Sequence, residues 1–316
     1  MTNSYTSLEN NIFQLALIPG DIQNRAAGYL IRGPKNVIIE TGASPSNKTI
    51  LSTLKVLEIS PASIDAIIVT HIHLDHAGGA GLLMQQCANA ILMVHPKGKG
   101  HLSDPNRLIA GARQVYQESF DRLFNPILPI AEERIQTVSD GETFDLGNGR
   151  QLQFYEAFGH ARHHIIAFDS ESKGIFTGDI AGVFHDRIHS RTGCAISFPN
   201  TAPTQFDPEE MQASYDLMIS LHPHHLYYTH YGKADQVVDI LKATQKWIPF
   251  FSEACVDYYR KNRSLDQLTN YIQDHTVAYL EKEKISIDAI DIKNLEFDNR
   301  LNAQGIIAYV QRLQKQ

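Results

Sequence analysis

Ala66-Ile67-Ile68-Val69-Thr70-His71-Ile72-His73-Leu74-Asp75-His76-Ala77-Gly78-Gly79 is the stretch around which the chain is organised. An apolar run ending in three histidines and a carboxylate reads as a buried strand that delivers a site at its carboxyl end. In extended backbone, residues two apart share a side, so His71 and His73 close on one ion through neutral imidazole nitrogens. One more extended step brings Asp75 to that side and turns His76 away, as two neighbouring ions require. Gly78 and Gly79 allow a tight turn into a helix beginning near Ala80. The alternative is a polar loop rich in histidine by chance. So many ligating groups behind an apolar strand would be hard to desolvate without a metal.

His71-Ile72-His73-Leu74-Asp75-His76 resembles the HxHxDH signature of the metallo-β-lactamase superfamily, and the chain looks like a glyoxalase II-like member. Three later stations resemble the family's pattern in order. Ala157-Phe158-Gly159-His160 resembles the TPGH segment, whose histidine binds the first metal. Gly174-Ile175-Phe176-Thr177-Gly178-Asp179 resembles the "lFtGD" strand end, whose aspartate bridges two metals. Leu226-Tyr227-Tyr228-Thr229-His230-Tyr231-Gly232 resembles the "pGHG" station, whose histidine completes the second. The resemblance covers residues from about 12 to 232. It implies one ion on His71, His73 and His160, a second on Asp75, His76 and His230, and Asp179 between them. Two departures stand out. Glu40-Thr41-Gly42 replaces the frequent Asp-Thr-Gly, whose aspartate supports a ligand histidine from behind. His163-His164 follows His160 and offers an alternative to it, although the order after the strand favours His160.

Composition sets the outer bounds. A chain of 316 residues, 43% hydrophobic, can bury one substantial core and a smaller second unit. A net charge of -7 and a pI near 6.1 argue against a broad footprint for nucleic acid or anionic membrane. The N-terminus lacks a secretory pattern and no apolar run is long enough to span a bilayer, so a cytoplasmic location is expected. Cys87, Cys194 and Cys255 are odd in number and far apart, which suggests neither disulfides nor a thiolate metal site. Cys194, in the loop after Asp179, lies near the pocket or is structural.

The implied fold is α/β, a four-layer αββα sandwich over residues 1–232, with a helical extension over 233–316 that packs on it or forms a homodimer contact. The first sheet begins with runs Ile12–Ile18, Ala27–Ile31 and Val37–Ile39, separated by turns at Pro19-Gly20 and Gly33–Asn36. Asn47–Ile59 repeats apolar residues at helical spacing, Ile64–Val69 is the strand entering the metal loop, and Ala90–Val94 follows. His95-Pro96 reads as a turn at the sheet edge, Lys97–Gly100 as flexible. Asp104–Phe124 reads as one helix, either a lid or a helix packed on the sheet. Ile135–Val138, Thr143–Leu146, Gln151–Tyr155, His164–Phe168 and Gly174–Thr177 give a second sheet. Ile180–Pro203 shows little periodicity. Asp207-Pro208 opens a helix. In the tail, Val237–Phe251 with a kink at Pro249, Leu265–Leu280 and Ile306–Leu313 are helical.

The resemblance implies a metal-dependent hydrolase in which a hydroxide shared by two divalent ions attacks an ester or thioester carbonyl, with a lactone as a variant. Asp75 would orient the nucleophile and pass a proton to the leaving group. Zinc is expected first, although the same nitrogen and oxygen donors accept iron or manganese. The substrate is a small molecule. Arg187 or Arg191 could bind its carboxylate or phosphate, or be a solvated loop charge; His230 or a neighbouring Tyr228 or Tyr231 could assist the reaction, and the two tyrosines are also candidates for substrate binding. Gly182 stands where acyl-homoserine lactonases carry a tyrosine, and Thr192-Gly193-Cys194 matches the Cys-Gly-Arg segment of glutathione thioesterases poorly. Other readings are a persulfide dioxygenase with one iron, a ribonuclease Z-like phosphodiesterase, and a non-enzymatic metal-binding module.

Overall fold

The computed structural model describes residues 4–17, 25–201 and 205–315. Ile18, the Pro19-Gly20 turn and Pro203 lie outside them. The backbone forms two compact units that interleave along the chain: Met1–Glu156, His163–Gly178 and Thr229–Gly232 make the first, and Ala157–Arg162, Asp179–Tyr228 and Lys233–Gln316 the second.

In the first unit, seven strands form one sheet in chain order: β1 (Tyr5–Ser7), β2 (Ile12–Leu17), β3 (Ala26–Ile31), β4 (Asn36–Ile39), β5 (Ile64–Ile68), β6 (Ile91–Val94) and β7 (Ile135–Thr137). The first four pair antiparallel through short connections. From β4 to β7 the pairing is parallel, because helices carry the chain back between strands. Helices Asn47–Val56 and Ala80–Gln86 cover one face, where Ile50, Leu54, Leu83 and Met84 pack with Leu30, Ile38, Ile67 and Leu92 in a closed core. β8 (Thr143–Gly147), β9 (Arg150–Glu156), β10 (Ile165–Asp169) and β11 (Gly174–Gly178) form antiparallel neighbours. Tyr29 of β3 meets Phe176 of β11 edge to face at 5.3 Å, so the two sheets face each other. Every residue of β3 is buried, as a strand between two apolar layers requires.

Local chemistry changes two sequence expectations. Pro96–Ser103 is a helix rather than a flexible link: Pro96 takes the first turn, and the His95 ring caps it by accepting from the Lys97 amide at 3.1 Å. Gly98 fits because an added Cβ would stand 2.7 Å from Val94 and 2.8 Å from Ile72. The expected single helix over Asp104–Phe124 is broken into Asn106–Tyr116 and Phe120–Phe124 by a tight turn at Gln117, whose φ is 46°. Its apolar residues Leu108, Ile109 and Tyr116 pack against Ala43, Leu74, Phe120 and Phe124, directly over the metal-loop residue Leu74.

In the second unit, the stretch after Asp179 is ordered more than its sequence promised. β12 (Val183–Phe184) pairs with β13 (Ser197–Phe198) around helix Asp186–Thr192, which Gly193 ends in the left-handed conformation. Helix Pro208–Ser220 is capped by Asp207, and β14 (His225–Tyr228) follows. The tail holds helices Val237–Gln245, Cys255–Asn262, Leu265–Lys282 and Ala289–Leu313, with a wide turn at Phe250–Ala254 just past Pro249. The last helix begins well before Ile306. Asp288 and Asp291 form a reciprocal capping box at its start, a signal present in the sequence.

Candidate metal centre

β5 ends at Ile68, and the next residues carry the candidate ligands His71, His73, Asp75 and His76. His71 is fully buried, its Nδ1 3.0 Å from the Thr70 hydroxyl. That hydroxyl donates to Glu40 Oε1, which also accepts the Thr70 amide at 3.2 Å. The hydroxyl is therefore an acceptor for His71 Nδ1–H, leaving Nε2 as a lone pair. His71 Nε2 lies 3.0 Å from His73 Nδ1, close to the roughly 3.3 Å separation of two nitrogens on one tetrahedral ion.

Past His73 the backbone is not extended. Leu74–Ala77 is a single helical turn that begins after His73 and sets Asp75 beside His76. This corrects the expected strand-like alternation, which put Asp75 beside His71 and His73. Asp75 Oδ2 stands 3.6 Å from His76 Nε2 and 3.5 Å from His230 Nε2, and the ligating atoms of these three residues all lie within 4.8 Å of one another. His76 turns its other nitrogen to Glu40, Nδ1 to Oε2 at 3.5 Å. His230 gives its Nδ1 proton to the Arg25 carbonyl at 2.7 Å. The longer Glu40 carboxylate thus reaches both the Thr70–His71 pair and His76.

Within the second unit, His160 and Asp179 lie side by side. His160 Nδ1 donates to the Asn200 carbonyl at 2.9 Å, and its Nε2 faces Asp179 Oδ2 at 3.4 Å. The Asn200 side chain donates to that same Asp179 oxygen at 2.7 Å. One asparagine therefore fixes both side chains. Sequence reasoning missed Asn200, which stands in no motif and whose role depends on the fold. Gly178, just before Asp179, has φ 52°, and an added Cβ would meet Thr70 Oγ1 at 2.4 Å and His164 Nε2 at 2.5 Å.

The remaining candidates are placed as follows. His163 stacks over His71 at 6.2 Å and His164 at 4.9 Å, both beside the ligand ring. Arg187 pairs with Asp288 at 2.6 Å and also with Asp291, and Arg191 reaches Asp288 and Asp291, so both guanidiniums are committed to the cap of the last helix. Asp288 is held below the usual carboxylate range, first by the Arg187 hydrogen bond and then by the Asp291 backbone. Tyr228 is fully buried, its ring stacked on Phe184 at 5.3 Å, and burial pushes its phenol above the ordinary range. Tyr231 follows His230 and is half-buried.

The donor set is nitrogen and carboxylate oxygen, with His71, His160 and His230 already bonded at Nδ1 and both nitrogens of His76 buried without a hydrogen bond, and these residues fit divalent metal ions. The metallo-beta-lactamase superfamily model matches residues 25–230, and the chain belongs to that superfamily. It has the family's α/β sandwich of mixed sheets with a helical C-terminal region. It is 27% identical over 218 residues to a metallo-beta-lactamase fold-containing protein of Sulfurisphaera tokodaii, covering 68% of this chain and 76% of the relative. A crystal structure of an archaeal superfamily protein from Sulfolobus tokodaii aligns over 94% of this chain and 98% of its own, with TM-score 0.66 and 23% identity. The flavo-diiron protein FprA2 of Clostridium acetobutylicum is 28% identical over 155 residues, 49% of this chain; the aligned part spans about a third of that relative, 33% of its length. Among the described residues, no helix is long and apolar enough to cross a membrane.

Proposed function

We propose that this chain is a binuclear metal-dependent hydrolase acting on an ester or thioester of a small molecule. On the family's pattern, His71, His73 and His160 would hold one ion and Asp75, His76 and His230 the second, with Asp179 contributing to both. The observation that carries this reading is the proton inventory of three imidazoles. His71, His160 and His230 each turn Nδ1 to an oxygen, of Thr70, Asn200 and Arg25, and so direct Nε2 as a lone pair, while His76 Nδ1 faces Glu40 Oε2 at 3.5 Å. Core histidines kept only for packing have no reason to share one tautomer.

Two divalent ions, when bound, lower the pKa of water to about 7 and hold developing negative charge. The chain's own contribution is placement. The Asp75 side chain is 29% exposed, the most open of the Asp75, His76 and His230 group, so it can orient an attacking water and carry a proton to the leaving group. Arg187 stays out of the proposal, because both of its arms are engaged by carboxylates. Tyr231, half-buried beside His230, is the tyrosine proposed for substrate contact, whereas Tyr228 serves as a buried wall.

The likeness to FprA2 favours iron and redox chemistry as a second reading. Elemental analysis of protein purified without added metal or chelator separates the two, followed by ester, thioester and lactone reporters and by oxygen consumption. Two zinc ions per chain with esterase or thioesterase turnover is expected. Iron with oxygen uptake and inert ester reporters would replace the hydrolase by the redox reading.

A further inference from the structure

The last helix, Ala289–Leu313, carries polar residues on the face it buries. Asn302 is 2% exposed, and its amide spans one short loop segment. Its Oδ1 accepts the Thr201 amide at 2.8 Å, its backbone carbonyl accepts the Thr201 hydroxyl at 3.0 Å, and its Nδ2 donates to the Pro199 carbonyl at 3.1 Å. Gly305, one turn on, brings the helix so close that an added Cβ would lie 2.3 Å from the Thr201 carbonyl oxygen. The residue gripped on both sides is Asn200, whose carbonyl sets the His160 tautomer and whose side chain binds Asp179.

We infer that Asn302 is a positioning residue for the metal centre: the C-terminal helix holds Asn200, and Asn200 holds His160 and Asp179. The inference rests on the assignment of His160 and Asp179 as ligands. Its physical basis is that a backbone carbonyl can orient an imidazole only as well as its own peptide is fixed. Pro199 and Thr201 lie in a loop, with no ladder beyond Phe198 to fix them. Side-chain amides replace that ladder: Asn302 satisfies one donor and one acceptor of the segment, both buried, where an unmade bond is costly.

Asn299 supplies the control. It lies on the same helix, equally buried, and its amide binds Gln273 at 2.7 Å and Thr276 at 3.0 Å, away from the loop. Zinc affinity would be measured by competition with a chromophoric chelator, geometry by the visible spectrum of the cobalt(II) form, and stability by melting of the metal-free protein. Asn302→Ala should weaken zinc binding by about 10–100-fold and change the cobalt spectrum. Asn302→Asp, which keeps the Thr201 acceptor but loses the Pro199 donor, should fall between it and wild type, and carries the test if the alanine variant does not fold. Asn299→Ala should lower the melting temperature while leaving zinc affinity and the cobalt spectrum as in wild type. Wild-type affinity and spectrum in both Asn302 variants, or an equal loss in Asn299→Ala, would overturn the inference. A wild-type protein that binds no ion at all would overturn the ligand assignment itself, a different result from either.

Discussion

Glu40 is the residue on which the placement of His71 and His76 turns. It follows β4 with φ 67°, a conformation that costs a side chain with a Cβ roughly 1 kcal/mol or more and persists only where its surroundings enforce it. Here the enforcement is visible: its amide donates to the Ile68 carbonyl at 2.9 Å, and its two oxygens divide between Thr70 and His76. Glu40→Gln keeps the shape but removes the charge that holds the Nδ1 protons of His71 and His76 in place. The expected outcome is a loss of about 10–100-fold in zinc affinity, with the fold retained, read by chelator competition and circular dichroism. Unchanged affinity would detach Glu40 from the centre. The ligand candidates were readable because metal chemistry restricts residue type and spacing. Glu40 was visible as a departure from a motif, but its reach to two histidines was not. Asn200 and Asn302 left no trace, since an asparagine in a loop or a helix has many ordinary uses and only the fold brings them together.

Among the elements, strands were read to within a residue or two because β2 to β6 and β9 to β11 alternate or run apolar between turn residues. Misreadings fell where a side chain, rather than a pattern, makes the structure. The helix Pro96–Ser103 has two glycines, Gly98 and Gly100, and their propensity argues against it. It forms because His95 caps it and Gly98 lets it lie on Val94 and Ile72. His95 accepts the Lys97 amide at Nδ1, so its proton sits on Nε2, 3.1 Å from Glu156. Burial holds its pKa below the ordinary value, with Glu156 opposing. The folded state therefore binds this proton less readily than the unfolded chain. Stability from His95 is full above a pH of about 6.5 and is lost as the pH falls below it. His95→Asn, which retains a capping acceptor, should flatten the stability difference between pH 7.5 and pH 5.5 in urea denaturation. An equally steep loss in the variant would assign that dependence to other groups.

At the scale of the whole chain, the candidate ligands are drawn from residues as far apart as 71 and 230. An unfolded chain cannot gather such a set without closing long loops, so metal binds the native state and stabilises it by mass action. Thiols do not confuse this reading at Cys87 and Cys255: both are buried, and burial pushes the Cys87 thiol up to about 11 and that of Cys255 higher, leaving little thiolate to compete for metal. At free zinc 100 times the dissociation constant, each site contributes about 2.7 kcal/mol. A chain of this size gains about 2 °C in melting temperature for each kcal/mol, so two occupied sites should raise it by roughly 10 °C over the chelated protein. Removing metal with a chelator should therefore lower the melting temperature by that order, and zinc should restore it. His230→Ala, which deletes a ligand of one site only, should forfeit about half of the shift. A full shift in that variant would exclude His230 from the centre, and the absence of any shift in wild type would exclude metal binding by the folded chain.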